Sequence, residues 1–237
     1  MDRRNGNGGV IASLVLTGAI VAAAALAATS QVVSPTPSTP AAPLPAQAPK
    51  VNQPWSATQK WASFESRVKS CTGPTPFARV AMDDWVCNET GQIKTLVWWG
   101  AVNTGAQINP NRKYYIAVYP NMVQGQCKPG TSPIQKWCLT PTSTYAGLDC
   151  QNKRVYRFKV ALNPPFNQVR GRHYWLQISE ADAESARPGV EDFRWSGHRP
   201  HPLKCRALQR NPAMATFTPL IDPCDNKPDE LAFQLWK

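Results

Sequence analysis

Several things are scarce in this chain, and each absence excludes something. No Cys-x-x-Cys occurs, which removes zinc ribbons and thioredoxin-like redox sites. There is no Gly-x-Ser-x-Gly, no phosphate-binding Gly-rich loop and no His-Glu-x-x-His, so serine hydrolases, P-loop nucleotide enzymes and HExxH zinc proteases have no foothold. Ser66-Arg-Val-Lys69 has the form of a Ser-x-x-Lys nucleophile, but neither Ser-Asp-Asn nor Lys-Thr-Gly follows, so the match is chance. Acids are outnumbered: 15 Asp and Glu stand against 26 Lys and Arg, for a net charge of +11. Helical periods alternating with strand periods are missing, which argues against a nucleotide-binding α/β fold.

Charge of either sign is also absent from Val10 to Ala28, a 19-residue apolar run that follows Arg3 and Arg4. A Pro/Ala/Thr stretch, Val33 to Pro49, comes next. A basic start, an apolar run and a Pro-rich tether is the layout of an exported or membrane-tethered domain. The run lies between the length of a signal-peptide core and that of a spanning helix. Ala25-Leu26-Ala27 fits a small-x-small cleavage site, whereas Ile11, Leu14, Val15, Leu16, Ile20 and Val21 would serve a retained anchor; either way the body is exported. No Cys stands directly after the run, which argues against a lipid anchor, and Asn5-Gly6-Asn7 does not suit a twin-arginine signal. The expected organisation is a signal or anchor over 1–28, a linker over 29–54 and one domain over 55–237. A Pro-rich tether of this length reaches roughly 50 Å at about 3.1 Å per residue.

All seven Cys fall in the body, at 71, 87, 127, 138, 150, 205 and 224. In an exported β-rich domain they predict disulfides, with one thiol left over. Cys127 and Cys138 bracket a Lys-Pro-Gly loop and are the expected pair. After Cys71 the pattern is of short period-2 segments: Ile93 to Trp99, Tyr114 to Tyr119, Val155 to Val160, His173 to Ile178 and Leu231 to Trp236. Thr90-Gly91, Asn109-Pro110-Asn111, Lys128-Pro129-Gly130 and Asn163-Pro164-Pro165 supply turns between them. This predicts an all-β fold, an antiparallel β-sandwich or jelly roll, after an N-terminal apolar helix and the Pro-rich tether. One further helix is expected within Trp55 to Lys69, from Trp61, Phe64 and Val68 at i, i+3, i+7.

Candidate sites are few. Asp83-Asp84 is the first place to look for a calcium ligand or a catalytic acid and base. Strand neighbours face opposite ways, so one carboxylate would point inward and need a partner. His198, His201 and Cys205 gather two of the three His and one Cys into eight residues and could ligate a metal; the plainer reading is a basic loop tied down by a Cys205 disulfide. Trp98 and Trp99 must face opposite sides of a strand, so one is expected partly outward. It and Trp175 or Trp195 could stack on a sugar or simply fill the core. Positive charge gathers along Lys153, Arg154, Arg157, Lys159, Arg170 and Arg172, and again along Arg194, Arg199, Lys204, Arg206 and Arg210. Outside the cytoplasm such charge suits an anionic lipid, an acidic polysaccharide or an acidic protein, and not nucleic acid.

Read together, several segments resemble a family of uncharacterised exported bacterial β-sandwich domains known from planctomycete-type surface proteins. The resemblance runs over about residues 60–236. It is carried by Lys60-Trp61, by Ala81-Met-Asp83-Asp84-Trp85-Val-Cys87 with Thr90-Gly91-Gln-Ile93, and by Trp98-Trp99-Gly100. Pro164-Pro-Phe166-Asn-Gln168, His173-Tyr-Trp175-Leu176-Gln-Ile178 and Asp229-Glu-Leu231-Ala-Phe233-Gln-Leu235 complete it. The family's Trp-Asn-Asp-Asp-Ala segment has no counterpart, Asn211 to Cys224 standing in its place, and no sorting tail precedes Lys237. The resemblance implies a β-sandwich and an exported location, and no activity. The expected role is therefore a non-enzymatic binding or accessory module at the cell envelope, without a cofactor, with its basic face as the docking surface for a membrane complex. The alternatives are a carbohydrate-binding module or a hydrolase of cell-surface polymer acting through Asp83, Asp84 or Glu180.

Overall fold

The computed structural model describes residues 47–72, 79–102, 108, 110–123, 125–181, 193–198, 205–210 and 216–237. The apolar run and most of the tether lie outside them, as does His201. Among the described residues no helix is long and apolar enough to cross a membrane.

Among the described residues fifteen strands form two sheets. In chain order they are β1 (Val51–Gln53), β2 (Ser63–Glu65), β3 (Arg67–Val68), β4 (Val80–Val86), β5 (Gly91–Val102), β6 (Tyr114–Pro120), β7 (Gln135–Leu139) and β8 (Thr142–Leu148). Then come β9 (Arg154–Gln168), β10 (His173–Ala181), β11 (Phe193–His198), β12 (Leu208–Arg210), β13 (Phe217–Pro219), β14 (Glu230–Leu231) and β15 (Phe233–Trp236). The first sheet is built around the long β5. One edge of β5 pairs with β9 along nearly its whole length, and the other pairs with β15 and then β11. The second sheet runs β13-β12-β4-β10-β6-β7, with β3 added in parallel at the end of β10.

Side chains alternate across each strand, and the two inner faces meet in one core. Trp98, Phe158, Phe193 and Phe233 come from the first sheet; Trp85, Tyr114, Ile116 and Leu176 come from the second. Aromatic rings interlock there: Trp98 stacks on Phe158 at 5.2 Å, and Tyr114 meets Phe193 edge-on at 4.9 Å. The outer faces are covered as well. Trp55 and Trp61 cluster with Trp99, Val97 and Val155 on the outer face of the first sheet. On the outer face of the second, Val80, Met82, Tyr115, Tyr119, Trp175 and Leu208 form another cluster. The strands therefore read apolar on both faces: in β6, Tyr-Tyr-Ile-Ala-Val-Tyr is buried throughout.

The helix expected within Trp55 to Lys69 does not form. The apolar residues of this stretch serve different layers: Trp61 covers the first sheet, Ala62 and Phe64 enter the central core, and Val68 lies on the outer face of the second sheet. The chain crosses from one sheet to the other at Ser66, whose hydroxyl bonds Ser179 Oγ at 2.8 Å and accepts from the Ala81 amide at 3.2 Å. The i, i+3, i+7 coincidence thus came from a sheet-switching strand.

Three disulfides join distant segments: Cys71–Cys138, Cys127–Cys205 and Cys150–Cys224. Cys127 and Cys138 are both bridged, but not to each other. The Lys-Pro-Gly loop between them is closed by its own backbone, so its cysteines are free to reach other strands. The odd thiol is Cys87, which is buried and donates to the Glu89 carbonyl. Burial pushes its pKa up and leaves it unreactive.

Candidate functional site

Asp83 and Asp84 are neighbours on β4, both fully buried because both faces of the strand are covered, and their carboxylate oxygens come within 4.8 Å of each other. Asp83 points into the core end, where its carboxylate accepts from the amides of Leu231 and Asp84, both at 2.7 Å. Asp84 lies on the outer face, opposite Trp175 in the register. It accepts from the Cys205 amide at 3.1 Å and bonds His173 Nε2. Glu230 completes an acidic trio with them and accepts from the Ala207 amide at 3.0 Å. Burial pushes the Asp83 carboxyl well up and the Glu230 carboxyl to about 7, with the neighbouring carboxylates adding to the rise. The trio is a staple: it holds β14 and the approach to β12 against β4. Glu180 is equally committed, pairing with Arg112 at 3.1 Å and accepting from the Phe193 amide.

The metal candidates separate. Cys205 is oxidised to Cys127 and offers no thiolate. His198 points elsewhere, its Nδ1 donating to the Pro54 carbonyl at 2.7 Å beside the Trp61 ring, and burial lowers its pKa. The reading of Cys205 as a disulfide anchor for its loop is the one the structure shows.

The tryptophans are buried too. Trp98, Trp175 and Trp195 are wholly enclosed, and the expectation that one of Trp98 and Trp99 faces outward fails because Trp55 and Trp61 share the outer cluster with Trp99. Arg157 lies over the Trp99 ring at 5.8 Å. Trp175 donates its Nε1–H to Asn121. The basic residues lie on different parts of the fold. Arg157 and Lys159 stand on the outer face of the first sheet, Arg154 lies at the far end of β9 beside Tyr145 and Tyr156, and Arg170 and Arg172 occupy the turn into β10.

A pocket that sequence reasoning missed lies on the outer face of the second sheet, with a volume of ≈ 600 Å³. This is within the usual range for a small-molecule site. Its floor is strand: Val80 and Met82 of β4, Tyr119 of β6, Gln177 of β10 and Leu208 of β12. The Tyr119 hydroxyl donates to Gln177 Oε1 at 2.9 Å, and Gln177 Nε2 donates to Ser179, so the polar floor is internally satisfied. Burial pushes the phenol's pKa far up, so it stays neutral. One wall is Arg210 and Phe217, cross-strand partners in β12 and β13, with the guanidinium 5.8 Å from the ring centroid.

The other wall is the loop after β6, from Met122 to Thr131, and one side chain organises it. Asn121 donates to the carbonyls of Val123 and Gln126, and it accepts from the Lys128 amide and the Trp175 indole. Backbone bonds from Met122 to Lys128 and from Gly130 to Pro120 close the loop. Cys127–Cys205 then ties it to the start of β12, where Asp84 holds the Cys205 amide. The trio, the disulfide and Asn121 therefore set the pocket walls. The signal in the sequence was the unbroken apolar run of β6: the outward Tyr115, Ala117 and Tyr119 needed a cover.

A second hollow, of ≈ 550 Å³, lies by Ser143, Tyr145, Arg154 and Tyr156. Tyr145 is among the most exposed large side chains, at 60 %.

Residues 46–236 match a domain of unknown function, DUF7901. The chain belongs to that family. The match covers both sheets and begins where the compact unit of residues 46–237 begins. It bounds the folded unit of this DUF7901 protein and assigns it no activity. No curated protein matches the chain significantly. The three disulfides are consistent with an oxidising, extracytoplasmic location.

Proposed function

We propose that this DUF7901 domain is a non-enzymatic binding module at the cell envelope, exported by its N-terminal segment and held on the Pro-rich tether. Its ligand site is the pocket on the outer face of the second sheet. The observation that carries the reading is the preorganised loop wall: a side-chain hub at Asn121 and a disulfide at Cys127 fix a concave, mostly apolar surface. Asp83, Asp84 and Glu180, the carboxylates a hydrolase would have used, are engaged by backbone amides or by Arg112. The N-terminal run supports export, and the basic body suits an anionic partner at the envelope or a membrane complex.

A small-molecule library screened by thermal shift tests the site. Hits on the wild-type chain should be lost in Thr131→Trp, which places a bulky ring at an exposed position of the pocket rim. If every hit survives Thr131→Trp, the pocket is not the site. The exposed Tyr145 beside Arg154 favours a carbohydrate module as the second reading; a glycan-array signal abolished by Tyr145→Ala would replace the first.

A further inference from the structure

The lining of the outer-face pocket is unbalanced in charge. Lys128 and Arg210 both contribute to it and no carboxylate does. Among the described residues neither cation forms an ion pair, and the Arg210 Nε is enclosed without a hydrogen-bond partner. Arginine left in this state inside a depression is an unmet requirement for an anion. Phe217 lies under the guanidinium and restricts where it can turn.

The rest of the lining is aliphatic or aromatic. Met82 and Leu208 lie in the floor, and Met122, 49 % exposed, stands on the rim. Methionine adapts to irregular apolar shapes. The polar floor is of little use to a neutral sugar, since the Gln177 amide already serves Tyr119 and Ser179. A cationic ligand meets two like charges. What remains is a molecule with an apolar body and a negative head.

We infer that this pocket binds a small amphipathic anion, a carboxylate or phosphate monoester on an aliphatic body, with Arg210 and Lys128 at the head and Met82, Met122 and Leu208 along the body. The inference rests on the reading of this pocket as the binding site, and it adds the ligand class. The ligand enters from solution: the site is a bounded depression with its cations in the lining.

The chain has four methionines, two of which line the pocket, so methyl-labelled methionine reports the site directly. The full chain with its disulfides intact is titrated with octanoate, octyl phosphate, octanol and octyltrimethylammonium. Octanoate and octyl phosphate should shift the Met82 and Met122 methyls and bind about 10-fold more tightly than octanol, the discrimination one charge-assisted hydrogen-bonded head provides. Octyltrimethylammonium should be the weakest. Arg210→Gln should erase the preference and leave octanol unchanged, and Lys128→Gln, at an exposed position, should reduce it. If Arg210→Gln does not melt like the wild type, Lys128→Gln carries the comparison.

Equal binding of octanoate and octanol would overturn the anion inference and leave the pocket reading standing. No shift at Met82 or Met122 with any probe would overturn both. Shifts produced by phosphatidylglycerol vesicles but by none of the soluble probes would make this face a membrane dock and overturn the proposal.

Discussion

Glu230 and Asp83 are buried side by side, and burial, with the charge of neighbouring carboxylates added, makes the two carboxyls hold their protons more tightly than free side chains do. The folded-state pKa of Glu230, about 7, lies above its unfolded value near 4.5. The associated stability is therefore fully present below the unfolded value and is lost as pH rises through about 7. Glu230→Gln keeps an acceptor for the Ala207 amide without the charge. Chemical denaturation at a series of pH values should show the wild type losing about 3 kcal/mol more than Glu230→Gln between pH 4.5 and 8. Parallel profiles would mean that the trio carries no such proton. A second residue-scale expectation concerns Asn121. Four hydrogen bonds converge on one amide, and Asn121→Ala leaves two carbonyls and two N–H groups to find water. A loss of about 1–3 kcal/mol is expected, with faster amide exchange over Met122–Lys128. Unchanged exchange there would show that the backbone bonds alone hold the loop.

At the scale of elements, β5 is the spine, and its close contact with β11 needs Gly100. A Cβ there would lie 2.2 Å from the Phe193 ring and 2.9 Å from the Arg194 carbonyl oxygen. Gly100→Ala should cost about 1–3 kcal/mol, read from the denaturation midpoint; a neutral result would mean that β11 shifts freely. The Cys127–Cys205 bridge closes a 78-residue separation and joins the pocket loop to β12. Cys127→Ser with Cys205→Ser should lower stability by about 2–4 kcal/mol, with the Met82 and Met122 methyl signals broadened. The period-2 reading located most long strands: the segments at 93–99, 114–119, 155–160 and 173–178 all lie within β5, β6, β9 and β10. The helical reading failed at 55–69, where neighbouring residues serve three different layers and mimic a helical period. Neither reading located the pocket. Hydrophobic pattern says that a face is buried, but not whether core, loop or ligand covers it. Trp98 and Trp175 looked like ligand contacts for that reason, while the pocket residues looked like ordinary core. Cysteine pairing was illegible too, because each bridge spans segments that only the tertiary fold brings together.

For the molecule as a whole, the decisive number is seven cysteines with six of them bridged. The sandwich already has a large aromatic core, so the bridges are not needed merely to gather a minimal hydrophobic interior. They tie down covering segments instead: Cys71 precedes β4 and Cys138 is in β7, Cys127 is in the pocket loop, and Cys150 joins the turn before β9 to Cys224 ahead of β14. Those outer layers are what a cytosolic thiol pool would leave open. The full chain recovered from an oxidising envelope should therefore show no reactive thiol when native and one, that of Cys87, after denaturation without reductant. The same chain made without residues 1–28 and kept in a reducing cytosol should show up to seven, melt at a lower temperature and lose the pocket-dependent thermal shifts. Mass spectrometry of the mature N-terminus, run on the exported sample, reports whether cleavage near Ala27 accompanies oxidation. A chain that remains fully reduced in the envelope, yet melts and binds as the oxidised one does, would remove the bridges from the account. It would also leave the N-terminal run as the sole support for export.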